Sequence, residues 1–93
     1  MVIEFVARFK KDLKRVSPEV RTQVAEMIDR LEMAHDLESS GVDYKRMQGQ
    51  KKTENYYRIR IGGYRVGIEY LLPSVILLRV LKRGDAYKHF PPK

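Results

Sequence analysis

Residues 56–70 read YYRIRIGGYRVGIEY, and their pattern decides the fold. Apolar and polar side chains alternate on either side of Gly62-Gly63, as in a β-hairpin with a two-residue glycine turn. With those glycines in the turn, Ile61 faces Tyr64, Arg60 faces Arg65, Ile59 faces Val66 and Arg58 faces Gly67. Alternation then sends Tyr57, Ile59, Ile61, Tyr64, Val66, Ile68 and Tyr70 to one face, a set suited to burial. Tyr56, Arg58, Arg60, Arg65, Gly67 and Glu69 go to the other. That second face is cationic and sets two arginines directly opposite each other, which costs some tenths of a kcal/mol to about one.

Toward the N-terminus, VIEFV (residues 2–6) alternates and predicts a first strand. ARFKKDLKRV (residues 7–16) places Phe9, Leu13 and Val16 at helical spacing. Ser17-Pro18-Glu19 is a helix start: a capping hydroxyl, a proline at the first helical position and an acid in the first turn. A second helix is predicted from there to about Leu37, with Val20, Val24, Met27, Ile28, Leu31 and Ala34 as its apolar stripe. ESSGVDYKRMQGQKKTEN (residues 38–55) has no period and is expected to be a long surface connection.

Beyond the hairpin, a turn around Pro73-Ser74 leads into the apolar run VILLRVLKR (residues 75–83), the last strand. Its even positions Ile76, Leu78, Val80 and Lys82 are expected to face inward. Arg79 and Arg83 would then join Arg58, Arg60 and Arg65 on the outer face, with Val75, Leu77 and Leu81 as apolar surface among them. GDAYKHFPPK predicts a short helix stopped by its prolines. The order β–α–α–β–β–β with a short C-terminal element defines an α+β fold, two N-terminal helices packed on one face of a small antiparallel sheet. Residues 1–93 are expected to form a single domain.

Composition narrows the function. Ninety-three residues suffice for one two-layered core. The absence of cysteine excludes a disulfide framework and a thiolate ligand or nucleophile. His35 and His89 show no ligand spacing, so neither a metal nor a cofactor is expected. No apolar run approaches the roughly 18 residues of a membrane-spanning helix, and the N-terminus lacks a signal peptide's basic-then-apolar order. A soluble cytoplasmic protein with no membrane partner is the expectation. Residues 1–44 hold seven Lys/Arg against nine Asp/Glu, whereas residues 45–93 hold twelve against three. The basic surface therefore belongs to the second half, and a field of that sign attracts polyanions. Five arginines on one sheet face repel one another unless an anion sits among them, and planar guanidinium forks suit phosphate.

The hairpin run with Gly63-Tyr64-Arg65, the strand VILLRVL and the ending KRGDAYKHF resemble the RelE/ParE superfamily of toxins from toxin–antitoxin systems, over nearly the whole chain. The resemblance implies a small toxin held inactive by a cognate antitoxin, which for a basic face would carry acidic and apolar residues. In the RelE branch the toxin is an endoribonuclease that cuts mRNA in the ribosomal A site; in the ParE branch it poisons DNA gyrase. A plain basic binding module is a third alternative. The RelE-type pattern implies Arg58, Arg60, Arg65, Arg83 and Tyr87 as catalytic residues. Lys51, Lys52, Arg79 and Lys82 are the expected RNA-binding cations around them.

Such a site can work without metal, because RNA supplies its own nucleophile. Cleavage requires in-line attack of the 2′-OH on the adjacent phosphorus, charge stabilisation on the phosphorane and proton transfers at the 2′ and 5′ oxygens. Arg65 with Arg58 or Arg60 suits the phosphorane, Arg83 the leaving side, and Tyr87 a stacked base or the attacking hydroxyl. Arginine stands where lysine is common in the family's second strand, and it holds its proton too firmly to be an easy general base. Lys51, Lys52, Lys82 and His89 are alternative proton carriers. Tyr44 and Tyr56 are expected to pack or to line the rim.

Overall fold

The structure, a computed structural model, describes residues 1–91 apart from the side chain of Tyr87. The elements follow in the order β1 (Val2–Phe5), α1 (Ala7–Lys14), α2 (Pro18–Met33), α3 (Leu37–Ser40), β2 (Asp43–Arg46), β3 (Tyr56–Ile61), β4 (Tyr64–Leu71), β5 (Ser74–Lys82) and α4 (Arg83–His89). The five strands form one sheet in the order β1-β5-β4-β3-β2. The pairs β2–β3, β3–β4 and β4–β5 are antiparallel, while β1 runs parallel to β5 as an edge strand. The fold is thus α+β, with α1 and α2 against the sheet.

The helices begin where the capping chemistry places them. Ser17 is the N-cap of α2, its Oγ accepting the Val20 N–H at 3.3 Å with Pro18 in the first turn. Both long helices end earlier than the apolar spacing suggests: α1 at Lys14, and α2 at Met33 because Ala34 turns extended. The residues that follow make the separate short helix α3, closed by a reciprocal capping box between Asp36 and Ser39 and by Gly41 at φ +77°. The Ser39 N–H and hydroxyl hold the Asp36 carboxyl below its ordinary range.

The hairpin adopts the register expected from its glycines, with Arg60 opposite Arg65 and Arg58 opposite Gly67, and Gly62 at φ +60° in the turn. Its apolar face joins Val20, Val24, Met27 and Leu31 of α2 and Phe9 of α1 in one core, in which Ile59, Val66 and Ile68 are fully buried. The 38–55 stretch is not one irregular connection, because Asp43–Arg46 adds β2 to the hairpin's free edge.

The expected facing of β5 needs correction. Val75 and Leu77, not Ile76 and Leu78, are fully buried. Pairing runs Arg65↔Leu81, Val66↔Val80 and Gly67↔Arg79, then shifts so that Ile68 faces Leu77 and Tyr70 faces Val75. Leu78 is the extra residue of a β-bulge, which reverses the alternation halfway along the strand. The even positions face the helices only after the bulge, where Val80 is buried.

The bulge is held in place from α1. β1 ends opposite Leu77, so the next stretch of the β5 edge has no strand neighbour among the described residues. Buried Asp12 fills the gap, its carboxylate accepting the Val80 N–H at 3.0 Å, Arg79 Nε at 2.7 Å and Arg79 Nη2 at 3.3 Å. Arg79 is therefore ion-paired at the sheet edge and not displayed among the outer-face arginines.

Candidate nucleic-acid interface

On the face away from α1 and α2, strand register builds two cationic rows. One carries Lys45, Arg58 and Gly67 across β2, β3 and β4; the other carries Asp43, Arg60 and Arg65. This face is not bare. The end of α4 lies on it, with Ala86 and Phe90 buried. The Phe90 ring occupies the space above Gly67, where an added Cβ would meet ring atoms at 2.6–2.8 Å. Tyr56 meets the same ring edge-on at 5.7 Å between centroids. Only glycine at position 67 admits this contact, so the glycine in the arginine face is the seat of the C-terminal helix.

The opposed arginines do not have equal surroundings. Arg65 is buried, and its Nη1 donates to the carbonyls of Gly62 and Tyr64 at 2.9 Å each. It clasps the hairpin turn with one end of the guanidinium, while Arg60 across from it stays exposed. Arg58 is half-buried, and its Nη1 is shut off from solvent with no hydrogen-bond partner among the described residues. Arg83 opens α4 and is exposed, its backbone N–H donating to the Gly63 carbonyl at 3.0 Å, which ties the helix start to the hairpin turn. Tyr87 lies one turn further along α4; its side chain is outside the described residues.

Among the described residues, the ion pairs are those of Asp12 with Arg79 and Arg8, and no carboxylate is within ion-pairing distance of Arg58, Arg60 or Arg83. Glu54 is turned into its own loop, where it accepts the Lys51 N–H at 2.8 Å. Burial, with Glu69 and Glu54 nearby, pushes the Tyr56 hydroxyl above its ordinary value. Tyr56 is thus a hydrogen-bond donor and not a base at neutral pH.

The structure brings Arg58, Arg60 and Arg65 together on adjacent strands and sets Arg83 at the turn end of the same hairpin. Lys51 and Lys52 lie exposed in the β2–β3 connection. Lys82 pairs with Tyr64, on the helix side of the sheet, and shares a groove with Arg8, Arg15 and Arg79. It stands apart from the hairpin arginines. Sequence reasoning passed over Lys45, because its place opposite Arg58 exists only once β2 pairs with β3.

A helix-backed sheet whose opposite face carries a hairpin's arginines and a short C-terminal helix defines a small α+β protein with one cationic sheet face. Residues 3–87 match the family model described as the ParE toxin of type II toxin–antitoxin systems, parDE. The chain is 37% identical over 91 residues to Toxin RelE3 of Methanocaldococcus jannaschii, covering 98% of this chain and 100% of that protein. It also superposes on a chain of the RelB–RelE antitoxin–toxin complex from Methanococcus jannaschii with a TM-score of 0.77 and 36% identity, over 95% of this chain and 99% of the other. A chain of the archaeal RelE–RelB complex from Pyrococcus horikoshii shares the fold at a TM-score of 0.71 and 22% identity, over 91% and 97% of the two chains. The protein belongs to the RelE/ParE superfamily of type II toxin–antitoxin toxins.

Proposed function

We propose that this toxin is a RelE-type endoribonuclease that cleaves mRNA on the ribosome and is held inactive by a cognate RelB-like antitoxin. The observation that carries the proposal is the group of hairpin arginines together with Arg83, of which Arg58, Arg60 and Arg83 have no carboxylate partner among the described residues. Phosphate oxygens are the acceptors such guanidinium groups fit best. In this reading Arg65, anchored to the turn carbonyls through Nη1, is a rigid contact to the scissile phosphate, and rigidity is what transition-state charge stabilisation requires. Arg58 and Arg60 share the phosphorane charge, Arg83 serves the leaving 5′ oxygen, and Tyr87 positions the attacking 2′-OH or stacks on a base. The relatives solved with RelB support the antitoxin partner, and the basic half of the chain suits an acidic one.

The family model carries the ParE name, so gyrase poisoning is the competing reading. Induced expression followed by mapping of mRNA 5′ ends on ribosomes separates the two. Discrete cuts that disappear with Arg83→Ala, and that a 2′-O-methyl group at the scissile nucleotide prevents, are the expected result. Tyr87→Phe should slow cutting about a hundredfold if the hydroxyl takes part in proton transfer. DNA breakage with intact mRNA would transfer the protein to the gyrase reading.

A further inference from the structure

α1 is a basic helix with a single acid in it. Residues 7–15, ARFKKDLKR, hold Arg8, Lys10, Lys11, Lys14 and Arg15 against Asp12 alone. All of these cations stand in solvent, whereas Asp12 is turned inward and is 6% exposed. Among the described residues, every hydrogen bond its carboxylate accepts comes from two consecutive residues of β5, Arg79 and Val80. A buried ion pair adds little to stability over a well-packed apolar pair, and its best-attested use is to fix one register against another. The register within reach of Asp12 is that of β5 on β4.

From Leu71↔Ser74 to Ile68↔Leu77 the two strands pair regularly. Continued without the extra Leu78, that pairing would set Arg79 opposite Val66, Val80 opposite Arg65 and Lys82 opposite Gly63. The observed pairing sets Val80 opposite Val66 and Leu81 opposite Arg65, and it is the Arg83 N–H that donates to the Gly63 carbonyl, at 3.0 Å. The bulge thus decides whether Arg83 or Lys82 meets the hairpin turn. Apolar burial separates the two registers only weakly, because each sends one apolar and one basic residue toward the helices: Val80 with Lys82, or Leu81 with Arg79. Asp12 separates them by direction. It holds the Val80 N–H at 3.0 Å and the Arg79 guanidinium at 2.7 Å, the two residues that follow the extra one.

We propose that Asp12 is a positioning residue for Arg83: from the helix side of the sheet it fixes the bulge, and the bulge sets Arg83 at the hairpin turn beside the other arginines. For what Arg83 then does, though not for where it is held, this rests on the nuclease reading. The path is short. Val80 and Arg83 are three residues apart, about 10 Å along a strand, and the residues between them are paired with Arg65 and Tyr64. With the Val80 end released, the start of α4 is tied to the hairpin by the Arg83–Gly63 bond. A displacement of about 1 Å in a charge-stabilising group is enough to cost on the order of a hundredfold in rate.

Two readouts on the full chain test this, amide hydrogen exchange and mRNA cutting on ribosomes, both at a temperature where each variant is folded. Asp12→Ala should speed exchange of the Arg83 amide about tenfold or more relative to that of Ile59 in the hairpin. It should also lower kcat about tenfold to a hundredfold with KM within about twofold. Asp12→Asn keeps the size and one oxygen for the Val80 N–H; it should lie between wild type and Asp12→Ala in both readouts, and it carries the test alone if Asp12→Ala does not fold. Val24→Ala opens a cavity under α2, away from β5, and should leave kcat within about twofold. Arg83 exchange unchanged in the Asp12 variants overturns the proposal, as does an equal fall of kcat in Val24→Ala, which would mean that only overall stability matters. Faster Arg83 exchange with unaltered kcat overturns the positioning role and leaves the nuclease reading standing. A wild-type chain that cuts no mRNA overturns the nuclease reading instead, and faster Arg83 exchange then still supports Asp12 as the group that holds Arg83 in place.

Discussion

The two faces of the β3–β4 hairpin are made from the same residues taken alternately, yet they are held together by different kinds of interaction. On the helix side, Ile59, Val66 and Ile68 contribute apolar area to a shared core, and each does much the same thing. On the other side every position has its own circumstance. Arg65 is folded onto turn carbonyls, Gly67 leaves room for a ring, Arg58 keeps a nitrogen with no hydrogen-bond partner among the described residues and Arg60 stands in solvent. Pattern accounts for the first face because burial is non-directional and roughly proportional to area. Only individual geometry accounts for the second, because hydrogen bonds, ion pairs and close approaches depend on direction and distance.

The comparison is sharpest where one substitution should disturb both faces. Asp12→Ala removes the carboxylate that holds Arg79 and the Val80 N–H, leaving a largely buried arginine and an open strand edge. Removing one partner of a buried pair costs roughly 3–5 kcal/mol. The partial exposure of Arg79 places this case near the lower end, and urea denaturation should show about 3 kcal/mol. A loss below about 1 kcal/mol would mean that the bulge is held by the strand pairing alone.

A smaller effect tests the seat of α4. Gly67→Ala drives a methyl into the Phe90 ring and should cost about 1–3 kcal/mol, the usual range for overpacking. In a Phe90→Ala background the same change should cost under about 0.5 kcal/mol, since its clash partner is gone. Equal costs in the two backgrounds, measured by thermal melting, would break the link between glycine and ring.

The smallest expected stability change belongs to Arg60→Ala, exposed and without a carboxylate partner among the described residues. It should lie within about 0.5 kcal/mol of wild type while growth arrest on induction is lost. Arg65→Ala must behave differently, because Arg65 is buried and clasps the turn; its loss should lower stability by about 1–3 kcal/mol as well as toxicity. Paired melting and growth curves for the two variants would separate a residue that acts only on the ligand from one that also holds the hairpin. A similar stability for both would erase the distinction drawn between the opposed arginines.

Legibility followed the same division. The hairpin register and the helix start at Ser17-Pro18 could be read because each depends on residues close in sequence. Strand β2 was missed since DYKR carries no apolar alternation; its pairing is made by the hairpin edge beside it. The bulge was missed for the opposite reason. SVILLRVLK is apolar at nearly every position, so shifting its faces by one residue leaves the pattern looking the same.

The chain's own residues determined an α+β fold, an apolar hairpin face for the helices and an arginine-bearing face opposite it, because alternation and local turn chemistry act over a few residues. Tertiary structure alone decided that Asp12, 67 positions before Arg79, takes that arginine out of the outer face. It likewise decided that Phe90 seats on Gly67, and that Lys45 meets Arg58 at the rim of a cleft. Each of these depends on an approach between side chains far apart in sequence. Such approaches are set by how helices and strands pack once the core has formed, and no local pattern encodes them.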